Sequence, residues 1–123
     1  MEKVTGIGGI FVRSRAPEAL ALWYRDVLGV PLSPADKDDK PWVSQTGVTI
    51  FAPFSADTDY FPTRQQVMLN FRVADLAAML QQVRHSGMHV FNEQEMDGVG
   101  RFAHVCDPDG NVIELWEPEP SPI

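Results

Sequence analysis

Apolar positions in this chain alternate between short strand-like runs and helical stripes, and the order of the two repeats once. The run Ile7 to Val12 reads as a strand. Behind it Ala19, Leu20, Trp23, Tyr24, Val27 and Leu28 recur at helical spacing and predict a helix from about Pro17 to Leu28, with Pro17 suited to its first turn and Gly29 to its end. The same order returns as a strand over Val67 to Val73 and a helix over Asp75 to His85, capped by Asp75 and closed by Ser86-Gly87. Leu76, Leu80 and Val83 lie on one face of that helix. Shorter strands follow each helix, around Trp42 to Gln45 and Val48 to Phe51, then around His89-Val90, Phe102 to Cys106 and Val112 to Trp116. Two strand-helix-strand-strand-strand units result, joined by Phe54 to Gln66, whose Ser, Asp, Thr, Tyr and Pro are typical of an exposed connection. Each unit is too small for a sizeable core, so the halves must pack together, within the chain or across a dimer.

The last hairpin sorts its residues most sharply. Asp107-Pro108-Asp109-Gly110 fits a type I turn with a glycine closing a bulge, which makes a three-residue loop. In that register Asp107 pairs with Asn111, so His104 faces Glu114 and Phe102 faces Trp116, while Ala103, Val105, Ile113 and Leu115 form the other, aliphatic face. A four-residue loop would instead move His104 to the aliphatic side. Glu114 stands in the otherwise apolar run Val112 to Trp116, where an unpaired carboxylate is costly to bury. An imidazole, a carboxylate and two aromatic rings on one face have the composition of a ligand pocket.

Composition narrows the classes. The chain has 123 residues, 44% hydrophobic and 22% charged, as expected of one globular unit. No window approaches the roughly 18 apolar residues of a membrane span, and the start, Met1-Glu2-Lys3-Val4, has no apolar stretch of signal-peptide length. The single cysteine, Cys106, excludes an intramolecular disulfide. A cytoplasmic location is the expectation. A net charge of −7 argues against nucleic acid, whose binding relies on clustered Lys and Arg. It favours a cationic ligand weakly and more commonly serves solubility.

Three pieces of sequence, in this order and spacing, resemble the vicinal oxygen chelate superfamily: Trp23-Tyr24-Arg25-Asp26-Val27-Leu28-Gly29, Phe71-Arg72-Val73-Ala74-Asp75-Leu76, and Asp107-Pro108-Asp109-Gly110-Asn111 followed by Ile113-Glu114-Leu115. That superfamily holds glyoxalase I, extradiol dioxygenases, methylmalonyl-CoA epimerase, fosfomycin-modifying enzymes and the bleomycin-resistance binding proteins. The resemblance implies an α+β fold of two βαβββ modules forming a curved mixed sheet around a cavity, usually in a homodimer. It places module one at about 5–53, the connection at about 54–66 and module two at about 67–118, as a single domain. Metal enzymes of the superfamily put His, Glu or Gln ligands on the first and last strand of each module, and carried over, only Glu114 matches. The other positions fall on Gly9, Met68 and about Thr49, none suited to a hard divalent ion. Glu114 with His104 gives two ligands where three are usual, so no metal or other cofactor is expected.

Candidate roles follow. Glu114 is a general base or a ligand anchor, with a pKa expected to rise in an apolar pocket, or else a carboxylate held by Arg13 or His104. His104 shares its proton or is a satisfied structural histidine. Arg13 is placed to fork onto a carboxylate, and Asn70 and Arg72 share the cavity side. Phe11, Trp42, Phe102 and Trp116 are stacking surfaces or core. Asn92 to Gly100 reads as a lid, His85 and His89 as solvated, and Cys106 as a small buried residue rather than a nucleophile. Two functions remain open: a metal-independent protein binding a small aromatic, carboxylated or cationic molecule, or a lyase, isomerase or dioxygenase-type enzyme using Glu114 as acid-base group or metal ligand.

Overall fold

A computed structural model describes residues 1–120. Its regular elements are, in chain order, helix α1 (Pro17–Leu28), strand β1 (Asn70–Arg72), helix α2 (Leu76–His85), and strands β2 (Val90–Met96), β3 (Gly100–Cys106) and β4 (Val112–Pro118). The architecture is α+β, with a curved, open, mixed sheet in the order β1-β4-β3-β2. β1 runs parallel to β4 and the other neighbours are antiparallel. None of the described helices is long and apolar enough to cross a membrane.

Local chemistry sets both helices as the sequence predicts. Pro17 occupies the first turn of α1 and Gly29 ends it in a left-handed conformation at φ 75°, with the N–H groups of Gly29 and Val30 donating to Arg25 and Tyr24 carbonyls. The Asp75 carboxylate caps α2 by accepting from the Ala78 N–H at 3.0 Å. Glu117 adds a second acceptor for the exposed donors of that helix end, on the Leu76 N–H at 2.8 Å. Leu76, Leu80 and Val83 then meet Val27 of α1 and Ala103, Val105, Ile113 and Leu115 of the sheet in one buried cluster. That is the aliphatic face expected of the hairpin.

The hairpin register also holds, with His104 opposite Glu114 and Phe102 opposite Trp116. Asp107 explains its rigidity: one carboxylate oxygen accepts from the Asp109 and Asn111 N–H groups, and the other from the Asn111 amide and from Tyr24, whose hydroxyl lies 2.7 Å away on α1. Two expectations change. Asn92 to Gly100 is no lid but the body and turn of the β2–β3 hairpin. The connection before β1 is not simply exposed, because Gln65 bonds both the N–H and the carbonyl of Val112 through its side-chain amide, at 2.8 and 3.0 Å, in place of a strand neighbour.

The first half contributes α1 to the helix layer, while its strand-patterned stretches run extended without ladder partners. Among the described residues no backbone hydrogen bond joins 3–12 or 40–53 to another segment. Phe11, Val43 and Phe51 are 98%, 85% and 93% exposed. A strand pattern fixes which side chains face inward but needs a second edge before it becomes a ladder. Among the described residues the hydrogen bonds that reach across come from Arg72, which donates to the Gln45 and Val48 carbonyls at 2.9 and 3.1 Å.

Candidate functional site

Strand parity brings Phe102, His104, Glu114 and Trp116 onto the face away from the helices, and β1 adds Asn70 beside Glu114 and Arg72 beside Trp116. Glu114 and His104 are buried, at 7% and 1% exposure. Burial of a carboxylate is tolerable only with partners, and Glu114 has three. His104 Nε2 lies 3.0 Å from Oε2, the Tyr60 hydroxyl donates to the same oxygen at 2.5 Å, and the Asn70 amide donates to Oε1 at 2.8 Å. The Asn92 amide faces His104 Nδ1 at 3.2 Å, an arrangement in which the ring proton sits on Nε2 and points at Glu114.

Electrostatics follow from this count of donors. Burial pushes the Glu114 carboxyl upward, but the hydrogen bonds from His104, Tyr60 and Asn70 together outweigh it and hold the group below its ordinary value. The rise expected from sequence is therefore reversed. Burial, then the bond to Glu114, pushes the Tyr60 phenol up to about 12. Burial and the neighbouring Asp107 charge raise the Cys106 thiol, which suits an inert cysteine.

Tyr60 and Asn92 are the members that sequence reasoning missed. Tyr60 arrives from the connection, 54 residues away from Glu114 in the chain. A Tyr-Phe-Pro triplet inside an otherwise polar segment was the available signal. Asn92 sits at the irregularity of β2 between Phe91 and Gln94 with φ 53°, a left-handed conformation that asparagine tolerates better than most residues. This bend turns its amide toward His104.

The remaining candidates divide. Phe102 and Trp116 stack in parallel, with centroids 5.8 Å apart, and the Trp116 N–H donates to the Val99 carbonyl at 3.0 Å. Trp116 is a packed wall, at 8% exposure. Phe11 and Arg13 lie on the extended N-terminal stretch, exposed, and neither joins the Glu114 cluster. Trp42 lines a separate groove of about 300 Å³ with Leu28, Phe71 and Met79. A hollow of about 330 Å³ opens instead beside the cluster, between Tyr60, Phe61 and Pro62 of the connection and Phe91, Asn92 and His104 of the sheet. It combines aromatic walls with converging polar groups.

The superfamily's ion does not fit these residues as they stand. Both oxygens of Glu114 already accept from N–H or O–H donors, and among the described residues no three His, Cys, Asp or Glu side chains gather as a metal-binding group. Gly9 and Thr49 lie exposed on the extended stretches.

Comparison with known proteins agrees with the fold. No curated protein matches the chain. The structure of TnmS3, an antibiotic binding protein from a Streptomyces species, is 26% identical, covers 97% of this chain and 100% of its own, and superposes with a TM-score of 0.62. A lactoylglutathione lyase from Agrobacterium tumefaciens shares the fold at 15% identity, with 94% and 95% of the two chains covered and a TM-score of 0.57. A member of the glyoxalase/bleomycin resistance protein/dioxygenase superfamily from Sphaerobacter thermophilus does so at 19% identity, 86% and 90% coverage and a TM-score of 0.53. With a glyoxalase-like domain model matching residues 9–116, nearly its whole length, the chain belongs to the glyoxalase-like domain family within that superfamily.

Proposed function

We propose that this protein binds a small planar organic molecule, aromatic or carboxylated, in the hollow beside His104 and Tyr60, without a metal ion, and acts as a homodimer. The observation that carries the reading is the partnering of Glu114: its charge is answered by His104, Tyr60 and Asn70, which take three of the roughly four lone-pair sites of the carboxylate and both of those on Oε2. A carboxylate held below its ordinary pKa is also a poor proton acceptor, which weakens the alternative of a lyase, isomerase or dioxygenase-type enzyme. The buried contact between His104 and Glu114 is what favours that alternative. The antibiotic-binding description of TnmS3 supports the binding reading by likeness alone.

The homodimer rests on the extended stretches of the first half. Their apolar side chains are exposed and, among the described residues, their backbone groups have no ladder partners, while β1 and β2 form the two edges of the described sheet. A second copy supplies both deficits.

Metal analysis and thermal shift together test the function. The purified protein is expected to hold no stoichiometric Zn, Ni, Mn or Fe and to be stabilised by planar aromatic probes in the presence of chelator, with a gain of about 2.7 kcal/mol at one hundred times the dissociation constant. Stoichiometric metal that disappears in Glu114→Gln overturns the reading.

A further inference from the structure

The Tyr60 side chain is itself a planar aromatic hydroxyl compound seated on the candidate site. Its hydroxyl donates to Glu114 Oε2, its ring meets His104 edge to face at 5.0 Å and 83°, and Phe54 stacks on its outer side at 5.5 Å and 28°. Phe91 extends the wall by meeting the His104 ring at 5.6 Å and 82°. Every contact that a bound phenol would make with Glu114, His104 and an aromatic neighbour is made here by a residue of the chain.

The attachment of that residue is one-sided. After Tyr60 the connection is fixed to the sheet, by Arg64 on the Gly110 carbonyl at 2.6 Å and by the paired Gln65 bonds to Val112. Before it, Arg72 holds the Gln45 and Val48 carbonyls, and among the described residues 49–59 make no hydrogen bond to another segment. Tyr60 thus sits at the free end of an anchored strap, beside a hollow of about 330 Å³.

We propose that Tyr60 is a built-in placeholder, and that the ligand class is a planar aromatic bearing a free phenolic hydroxyl, which takes over the Tyr60 hydrogen bond to Glu114 as the strap swings aside. This rests on the binding reading above and specifies its ligand. The exchange gives Glu114 three donors both before and after, so neither end state leaves the buried charge a donor short. An aromatic without the hydroxyl displaces the same ring but leaves one oxygen of Glu114 short of a donor. A hydrogen bond to a charged acceptor therefore separates the two ligands.

The test uses 2-naphthol and its O-methyl ether, 2-methoxynaphthalene, with dissociation constants measured on the full chain by fluorescence. The wild type is expected to bind 2-naphthol roughly tenfold more tightly than the ether, the size of one hydrogen bond to a charged group. Tyr60→Phe keeps the ring but removes the bond that either probe has to break, so both probes gain affinity by a similar factor and the ratio between them persists. In Glu114→Gln the ratio shrinks. A second measurement needs no variant: with tyrosine labelled with ¹³C at Cζ, the Tyr60 signal shifts on 2-naphthol addition while Tyr24, the only other tyrosine, stays in place. Equal affinity for the two probes, or a Tyr60 signal that ignores bound naphthol, overturns the placeholder and leaves planar aromatic binding intact. Failure of both probes to bind wild type and Tyr60→Phe alike overturns the binding reading with it.

Discussion

The Tyr24 hydroxyl donates to the Asp107 carboxylate at 2.7 Å, and this contact ties the helix of the first half to the turn that closes the last hairpin. Asp107 is 2% exposed and organises the turn through three further donor groups, so the helix end and the site-bearing strands share one anchor. Burial, followed by the bond to Asp107, drives the Tyr24 phenol well above the ordinary tyrosine value. Removing the hydroxyl leaves a buried carboxylate oxygen with one donor fewer. Tyr24→Phe is expected to cost about 1.5 kcal/mol or somewhat more, read as a lower urea midpoint at unchanged slope. An unchanged midpoint contradicts the anchor.

The pH dependence of stability follows from Glu114. Its folded pKa lies below the ordinary carboxylate value, so between the two the unfolded chain binds more protons and stability rises with pH. The contribution is present in full above the ordinary value and is lost as pH falls through the folded one. Denaturation curves taken from neutral pH down to about pH 3 are expected to show a shallower acid limb in Glu114→Gln than in wild type. Parallel limbs would mean that the three donors do not depress this group.

Much of this was readable in the sequence wherever the cause is local. Pro17, Gly29 and Asp75 fix helix ends through their own backbone preferences, and Asp-Pro-Asp-Gly fixes the hairpin register that sets His104 against Glu114. Glu114 itself showed as an acid inside an apolar run. The direction of its pKa did not, because that depends on counting donors from Tyr60 and Asn70, which only the folded chain brings together. Phe54 to Gln66 looked like an exposed connection because its polar composition hides specific contacts, among them Tyr60 on Glu114, Arg64 on Gly110 and Gln65 on Val112. Gly98 and Gly100 suggested a lid for a similar reason. Positive φ serves a tight hairpin turn as well as a hinge, and a lone sequence does not distinguish them.

Gly100 and Gly98 now make a contrasting pair. A Cβ on Gly100, at φ 133°, would lie 2.1 Å from the Glu117 carbonyl oxygen, whereas one on Gly98, at φ 79°, meets nothing within 4 Å. Gly98→Ala therefore suffers only the left-handed backbone, about 1 kcal/mol. Gly100→Ala adds a backbone clash to an unfavourable φ and is expected to lose roughly 2 kcal/mol or more. Thermal melts of both variants decide the order, and equal losses would show that the start of β3 relaxes freely.

The extended first half makes the strongest prediction about assembly. Phe11, Val43 and Phe51 are almost fully exposed on stretches that alternate like strands, a combination that invites pairing with another chain. Sedimentation equilibrium is expected to give a mass near twice 13.7 kDa at micromolar concentration. Phe51→Asp, which puts a charge on such a stretch without touching the buried cluster of α1, α2 and the sheet, shifts the protein toward the single-chain mass while α2 keeps its amide protection. Hydrogen exchange sharpens the result. Among the described residues the amides of 7–12 and 48–51 have no partner within one chain, so protection there at high concentration, lost on dilution, is the signature of pairing between copies. A wild-type mass of one chain, with those amides exchanging freely at every concentration, would refute the homodimer.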